Sequence, residues 1–264
     1  MTQPAAPRPG KVVRGEWWTE SGVEGEPFVI VLVHGAMDRS SGMARLARQL
    51  DRRHRVLRYD RRGYAGRVGE PGAMTIAGHV DDLFDLAAGR RIVAVGHSLG
   101  GDIVLAAAEQ QPDQVLGVVA FEPPLSWEPW WPSRTAGAAA RDRASSPQDA
   151  AEAFMRRLIG DERWEGLPER TREQRRAEGP ALLTELADLR AHRPWTAAGV
   201  RCPVVVGVSE RAWAHHRQGT AAVAAEIAGA ELVELAGCGH DAHASVPKEF
   251  ATLLIEPLIA RITA

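Results

Sequence analysis

Four short stretches of the chain are apolar at nearly every position. They are residues 28–33, 92–95, 115–121 and 203–208. Short runs of this kind, rich in valine and isoleucine, are typical of strands that are covered on both faces of a parallel sheet. Residues 15–19, 55–59 and 231–235 are also predicted to be strands.

Helical patterns, with apolar residues three and four positions apart, lie between these strands. They cover residues 43–50, 75–88, 214–228 and 247–262 and the segment that follows residue 101. Strands that alternate with helices imply an α/β fold, with a mostly parallel central sheet and helices on both of its faces.

The pattern changes after Glu122-Pro-Pro124, because strand signals disappear until about residue 197. The intervening segment begins with a tryptophan-rich stretch and continues with charged helical segments at 147–159 and 169–191. We therefore predict an α/β core formed by residues 1–124 and 197–264. Residues 125–196 are predicted to form a helical cap above the carboxyl ends of the strands, where such sheets bind ligands.

Composition excludes few classes of protein. The chain has 264 residues, of which 45% are hydrophobic and 25% charged, and its formal net charge is −2. This charge gives no electrostatic reason to expect nucleic acid or an anionic membrane as a partner. No apolar run approaches the roughly 18 residues of a membrane span. Because the chain shows no export signal, we expect its two cysteines to be reduced and the protein to be cytoplasmic. The expected partner is a small-molecule substrate, and the oligomeric state is not predicted.

A serine lies at the most informative turn of the chain. Ser98 follows an apolar strand, precedes a helix, and has Gly96 and Gly100 two positions to either side. A side chain at either glycine would collide with the crossing chain at such a strained turn. Ser98 is therefore the predicted nucleophile, held at the carboxyl end of its strand beside helix N–H groups.

A serine needs a base, and the base needs a carboxylate to orient it. His240 is the predicted base because it lies in a glycine-framed loop directly after the last strand, and His243 is the alternative. Two carboxylates are candidates for the acid. Glu122 ends the strand at 115–121 and is followed by two prolines, whereas Glu210 follows the strand at 203–208.

The negative charge that develops on the substrate oxygen needs N–H donors already aimed at it. The backbone of Leu99, directly after the nucleophile, is one predicted donor. The second is expected from Ala36 or Met37, in the loop that follows residues 28–33.

The remaining signals are weaker. Trp127, Trp130 and Trp131 either attach the cap to the core or line an apolar substrate pocket. No metal is expected, because the potential ligands of residues 238–243 crowd into one short loop without a second cluster. No cofactor is expected either, since the glycines near Ser98 match neither the dinucleotide nor the phosphate-loop pattern.

These residues resemble the α/β-hydrolase superfamily over nearly the whole chain. The resemblance is carried by His34-Gly35, Asp60-Arg-Arg-Gly63, Gly96-His-Ser-Leu-Gly-Gly101 and Gly237-Cys-Gly-His240. It implies the fold, Ser-His-acid chemistry, no metal and no cofactor. A Phe-Glu-Pro-Pro stretch like that at 121–124 is similar to a group of bacterial hydrolases, in some of which the glutamate would serve as the acid. Glu210 stands where an aspartate is more usual in this superfamily. Glu122 and Glu210 therefore both remain candidates for the acid.

We therefore expect a serine hydrolase that cleaves a small or medium carboxylic ester or thioester through an acyl-enzyme. C–C bond hydrolysis, lactone hydrolysis and perhydrolysis use the same triad on this fold and are the alternatives. A non-catalytic ligand-binding member of the fold is the alternative from a different class of protein.

Overall fold

An eight-stranded sheet is the central element of the computed structural model, which describes residues 12–142 and 145–264. Residues 1–11, the start of the predicted core, and 143–144, in the predicted cap, lie outside the described residues. The strands are β1 (Val13–Arg14), β2 (Trp18–Gly22), β3 (Val29–Val33), β4 (Arg55–Tyr59), β5 (Ile92–His97), β6 (Val115–Phe121), β7 (Val204–Ser209) and β8 (Glu231–Leu235). Their order is β1-β2-β4-β3-β5-β6-β7-β8, and only the pairs of β2 with β1 and β4 are antiparallel.

Helices connect and surround the strands, which confirms the predicted α/β class. They are α1 (Ala44–Leu50), α2 (Ile76–Ala87), α3 (Leu99–Gln110), α4 (Ala136–Asp142), α5 (Pro147–Ile159), α6 (Asp161–Glu165), α7 (Glu169–Arg176), α8 (Gly179–Ala191), α9 (Ala214–Glu226), α10 (Ala242–Ser245), α11 (Pro247–Phe250) and α12 (Glu256–Thr263). Helices α4 to α8 all lie between β6 and β7 in the sequence. None of the helices in the described ranges combines the length and apolar character that crossing a membrane requires.

Two hydrophobic cores cover the sheet, one on each face. On β3, Val29, Val31 and Val33 belong to the core that packs against α2 and α3. Ile30 and Leu32 point the other way, into the core formed with α1 and the C-terminal helices. Because successive side chains of a strand point to opposite faces, a strand buried on both sides must be apolar throughout, which explains the continuous run.

Two predicted elements differ from the structure. The first long strand is Trp18–Gly22 rather than 15–19, because Gly15 forms a tight turn in which its N–H donates to the carbonyl of Trp18 (3.0 Å). The predicted helix at 169–191 is two helices, α7 and α8. Pro180 lies in the first turn of α8, where a proline is tolerated, and cannot continue α7 as an interior residue.

Candidate active site

Ser98 lies at a strained turn between β5 and α3. Its φ is 53°, a left-handed conformation that is uncommon for a residue with a side chain. A Cβ on Gly96 would lie 2.1 Å from the carbonyl oxygen of Gly100, and one on Gly100 would lie 2.3 Å from that of Val33. The turn therefore requires glycine at both positions. The Ser98 N–H is held by the Phe121 carbonyl at the end of the neighbouring strand (2.8 Å).

His240 and Glu122 form a direct pair beside this turn. Nδ1 of His240 lies 2.5 Å from Oε2 of Glu122, which is completely buried. Glu122 immediately follows β6 and also has a left-handed φ, 46°, and its N–H donates to Gly207 of β7 (3.0 Å). Strain of this kind persists only where the surroundings hold it, and it concentrates at functional sites.

Ser209, at the end of β7, holds the other oxygen of this carboxylate. Its N–H donates to Oε1 of Glu122 at 2.8 Å, and its hydroxyl donates to the same atom. Burial by itself would raise the pKa of Glu122, but the hydrogen bonds from His240 and Ser209 and the attraction of His240 lower it below its usual value. The carboxylate is therefore ionised at neutral pH.

Glu210, the other acid that the sequence suggests, does not contact His240. Its exposed side chain turns away and accepts a hydrogen bond from the N–H of Gly237 (2.6 Å). It supports the base of the loop that carries His240, whereas Glu122 reaches the imidazole itself. The sequence analysis does not predict the contact of Ser209 with Glu122. A serine at the end of the strand beside the one that Glu122 follows could have indicated it.

Ser98 and His240 line the same cavity, of about 350 Å³, together with Ala36 and Leu99. The position of Leu99 at the start of α3 leaves its N–H without an acceptor inside the helix. Met37, the other predicted oxyanion residue, has its side chain buried, and its carbonyl accepts from Arg175 of α7 (3.0 Å). The structure thus brings the predicted nucleophile, the predicted base and two of the three predicted oxyanion residues to one cavity.

The three predicted tryptophans have different positions. Trp131 lines the cavity and packs edge-on against His216, with ring centroids 5.4 Å apart. Trp127 and Trp130 are not among the lining residues; Trp127 packs edge-on against Trp195 (6.0 Å) and helps to attach the α4–α8 segment to the core. Trp213 also lines the cavity and was missed, although it follows the carboxyl end of β7 by only four positions.

A group of histidines surrounds the imidazole of His240. Nε2 of His97 donates to the carbonyl oxygen of His240 (2.7 Å), and the His216 ring lies 4.7 Å from the His240 ring. His243, the alternative base, lies 3.3 Å from Asp38 through its Nε2 and is not among the residues that line the cavity. His97 thus positions the backbone that carries the predicted base.

Two sets of three side chains bring metal-ligand atoms within 4.8 Å of one another in the described chain. They are Asp38, His97 and His243, and Glu122, His216 and His240. In each set a histidine already contacts a carboxylate, His243 with Asp38 and His240 with Glu122. These contacts account for two of the three members of each set, and the absence of a metal from the chemistry remains a prediction.

Burial keeps two of these histidines neutral, which makes stability depend on pH. Burial lowers the pKa of His97 and His216 well below the usual value, and the neighbouring imidazoles lower it further. Below about pH 6.5 the unfolded chain therefore binds protons that the folded protein does not, so stability is lost as the pH falls. We expect the two side chains to cost about 2 kcal/mol of unfolding free energy between pH 6.5 and 5.5.

Urea unfolding followed by tryptophan fluorescence at several pH values measures this loss. The His216→Asn variant should lose about 1 kcal/mol less than the wild type over the same window, whatever its absolute stability. A wild-type unfolding free energy that stays constant from pH 6.5 to 5.5 would contradict the prediction.

A buried ion-pair network connects α8 to the loop after β3. Arg61 and Glu185 are both completely buried and form an ion pair, and Arg61 also donates to the carbonyls of His34 and Gly35 (both 3.0 Å). Burial would raise the pKa of Glu185, but the charge of Arg61 and the hydrogen bond from His79 lower it to about 2. An ionised carboxylate of the α4–α8 segment thus holds the arginine that fixes the loop preceding Ala36.

Comparison with known proteins identifies the family. The sequence profile of the Alpha/beta hydrolase family matches residues 30–253. No curated protein matches the sequence. Among solved structures, the chain is similar to a thermophilic esterase from Thermogutta terrifontis with malate bound, at 20% identity and a TM-score of 0.72, covering 97% of this chain and 100% of that one.

Two other solved structures share the fold. An enol-lactonase from Burkholderia xenovorans has 23% identity and a TM-score of 0.67 over 92% of this chain and 95% of its own. A carboxylesterase structure from Nitrososphaera gargenis has 21% identity and a TM-score of 0.69 over 94% of each chain. Since the family profile spans most of the sequence and the fold extends over nearly all of it, the protein belongs to the alpha/beta hydrolase family and is a hydrolase.

Proposed function

We propose that the protein is a serine hydrolase that cleaves small or medium carboxylic esters or thioesters through a triad of Ser98, His240 and Glu122. The observation that carries this proposal is the 2.5 Å contact between His240 and the buried Glu122, beside a cavity that His240 shares with the strained Ser98. Residues 125–196 act as the cap of this cavity, and the other two parts of the chain form the core.

The triad works through the tautomer of His240. The ionised Glu122 accepts a hydrogen bond from the Nδ1–H of His240, so Nε2 carries the lone pair that removes the proton from the Ser98 hydroxyl. The serine oxygen attacks the substrate carbonyl, and His240 passes the proton to the leaving group. The N–H groups of Leu99 and Ala36, two residues that line the cavity, bind the oxyanion. Water then repeats the sequence on the acyl-enzyme.

The size of the cavity supports a substrate of limited size. Its volume of about 350 Å³ lies near the lower end of the range for small-molecule sites, roughly 300–1,000 Å³. Apolar side chains such as Phe154, Leu158 and Leu186 line its wall, as expected for an acyl group held by apolar contacts. A series of p-nitrophenyl esters and acyl thioesters, from acetyl to octanoyl, identifies the preferred acyl length.

Labelling by a fluorophosphonate probe tests the nucleophile. The wild-type protein should be labelled covalently at neutral pH, and Ser98→Ala should lose the label completely, because the probe reacts only with an activated serine. Ser126→Ala is the matched control, since Ser126 also lines the cavity but its hydroxyl has no hydrogen-bond partner among the described residues. Absence of labelling in the wild type, together with absence of ester turnover, would instead indicate a ligand-binding member of the fold.

A further inference from the structure

The cavity has a positive character that the whole chain does not have. The protein carries 34 acidic and 32 basic residues. Yet the described residues that line the cavity include no aspartate or glutamate, whereas they include Arg134, Arg157 and Arg190. Glu122, the only carboxylate described in contact with the proposed base, is completely buried behind His240. A substrate that enters the cavity therefore meets arginine side chains without competing acids.

Two of these arginines have unused hydrogen-bond donors. Arg157 makes no hydrogen bond or ion pair within the described chain, and Arg190 donates only to the carbonyl of Ser126 (2.9 Å). The neighbouring Arg156, on the same helix as Arg157, contacts three carboxylates. The segment thus contains enough acids to pair its arginines, but none of the described acids forms an ion pair with Arg157 or Arg190.

The spacing along the helices puts these charges beside apolar side chains. Phe154, Arg157 and Leu158 of α5 all line the cavity, at positions i, i+3 and i+4. Leu186, Leu189 and Arg190 of α8 repeat the same spacing. Residues three and four apart lie on one face of a helix, so each helix presents two apolar side chains and one exposed arginine to the same space.

We propose that the substrate of this site is an ester or thioester that carries a carboxylate, separated from the scissile carbonyl by an apolar segment. The inference rests on the proposed function, because it needs Ser98 as the reacting group. The guanidinium groups of Arg157 and Arg190 bind the carboxylate, since their planar pairs of N–H donors match its two oxygens. The apolar side chains of α5 and α8 contact the connecting segment.

Paired substrates that differ only in one charge test this proposal. The p-nitrophenyl monoester of adipic acid carries a carboxylate on the acyl part, and its methyl-capped diester is the neutral partner. Butyryl esters of 4-hydroxybenzoate and of its methyl ester place the same difference on the leaving group. For at least one pair, we expect kcat/KM to be about tenfold higher for the anion after correction for the spontaneous rates, mainly through a lower KM.

Substitutions of the arginines connect the preference to these side chains. Arg157→Gln and Arg190→Gln should each lower the ratio of anionic to neutral kcat/KM by about threefold or more, and the double variant should lower it further. Arg163→Gln is the matched control, because Arg163 is an exposed arginine of α6 that is not among the cavity-lining residues. The preference should also weaken with rising salt, since the arginines are exposed to solvent.

The outcomes separate this inference from the proposed function. If both neutral esters are hydrolysed in a Ser98-dependent manner but neither anion is preferred, the carboxylate inference is wrong and the proposed function stands. The same holds if Arg157→Gln and Arg190→Gln slow the anionic and neutral esters equally. If no ester is hydrolysed and Ser98→Ala changes nothing, the proposed function itself is wrong, and the inference falls with it.

Discussion

Replacing Glu122 by glutamine is expected to lower kcat by roughly 10³- to 10⁴-fold, the effect typical of losing the charge of a triad acid. The hydrogen bonds around the side chain determine the result. The N–H and the hydroxyl of Ser209 both donate to Oε1, so the glutamine must place its carbonyl oxygen there. Its NH₂ group then faces Nδ1 of His240 and donates to it.

That orientation selects the wrong tautomer of the base. When Nδ1 accepts a hydrogen bond, the proton of the neutral imidazole sits on Nε2, and Nε2 cannot take the proton of Ser98. The fold should be retained, because glutamine has nearly the same shape as glutamate. Steady-state hydrolysis of a p-nitrophenyl ester measures the loss of kcat, and the fluorophosphonate label should appear correspondingly slowly.

Glu210→Gln is the matched control for this variant. The Glu210 side chain accepts one hydrogen bond from the N–H of Gly237, and an amide oxygen accepts it equally well. We therefore expect kcat within about twofold of the wild type. A large loss of kcat in Glu210→Gln with little change in Glu122→Gln would show that Glu210 is the triad acid. Full activity in both variants would overturn the proposed triad.

Replacing Glu185 by glutamine is expected to destabilise the protein by about 3–5 kcal/mol, because it leaves the buried Arg61 without a counter-charge. The amide also meets donors on both sides. Tyr64 donates to Oε2 of Glu185 (2.6 Å) and Arg61 donates to Oε1, so the NH₂ group of a glutamine faces a donor in either orientation.

Urea unfolding measures the loss of stability, with Glu173→Gln as the control. Glu173 is an exposed residue of α7 without an ion pair among the described residues, so its substitution should change the unfolding free energy by less than about 0.5 kcal/mol. A change of less than about 1 kcal/mol in Glu185→Gln would show that Arg61 is not held by this charge. A lowered kcat under folded conditions would indicate that the loop before Ala36 has moved.

Local sequence patterns determine most of the fold of this protein. The continuous apolar runs predicted strands covered on both faces, and the alternation with helices predicted a mostly parallel sheet, as the structure has it. The glycines around Ser98 predict the sharp turn, since a side chain at either position collides with backbone within a few residues or on the adjacent strand. Patterns of this kind act over short distances and can be seen in a single sequence.

Only the tertiary structure decided which carboxylate contacts His240. Glu122 and Glu210 follow neighbouring strands, β6 and β7, so their position in the sequence makes them equivalent. The left-handed backbone of Glu122 and the donors of Ser209 direct one carboxylate to the imidazole, while the other bonds to Gly237. The same holds for Arg61 and Glu185, which lie 124 residues apart. Such choices depend on side-chain direction across elements distant in sequence, which no local pattern encodes.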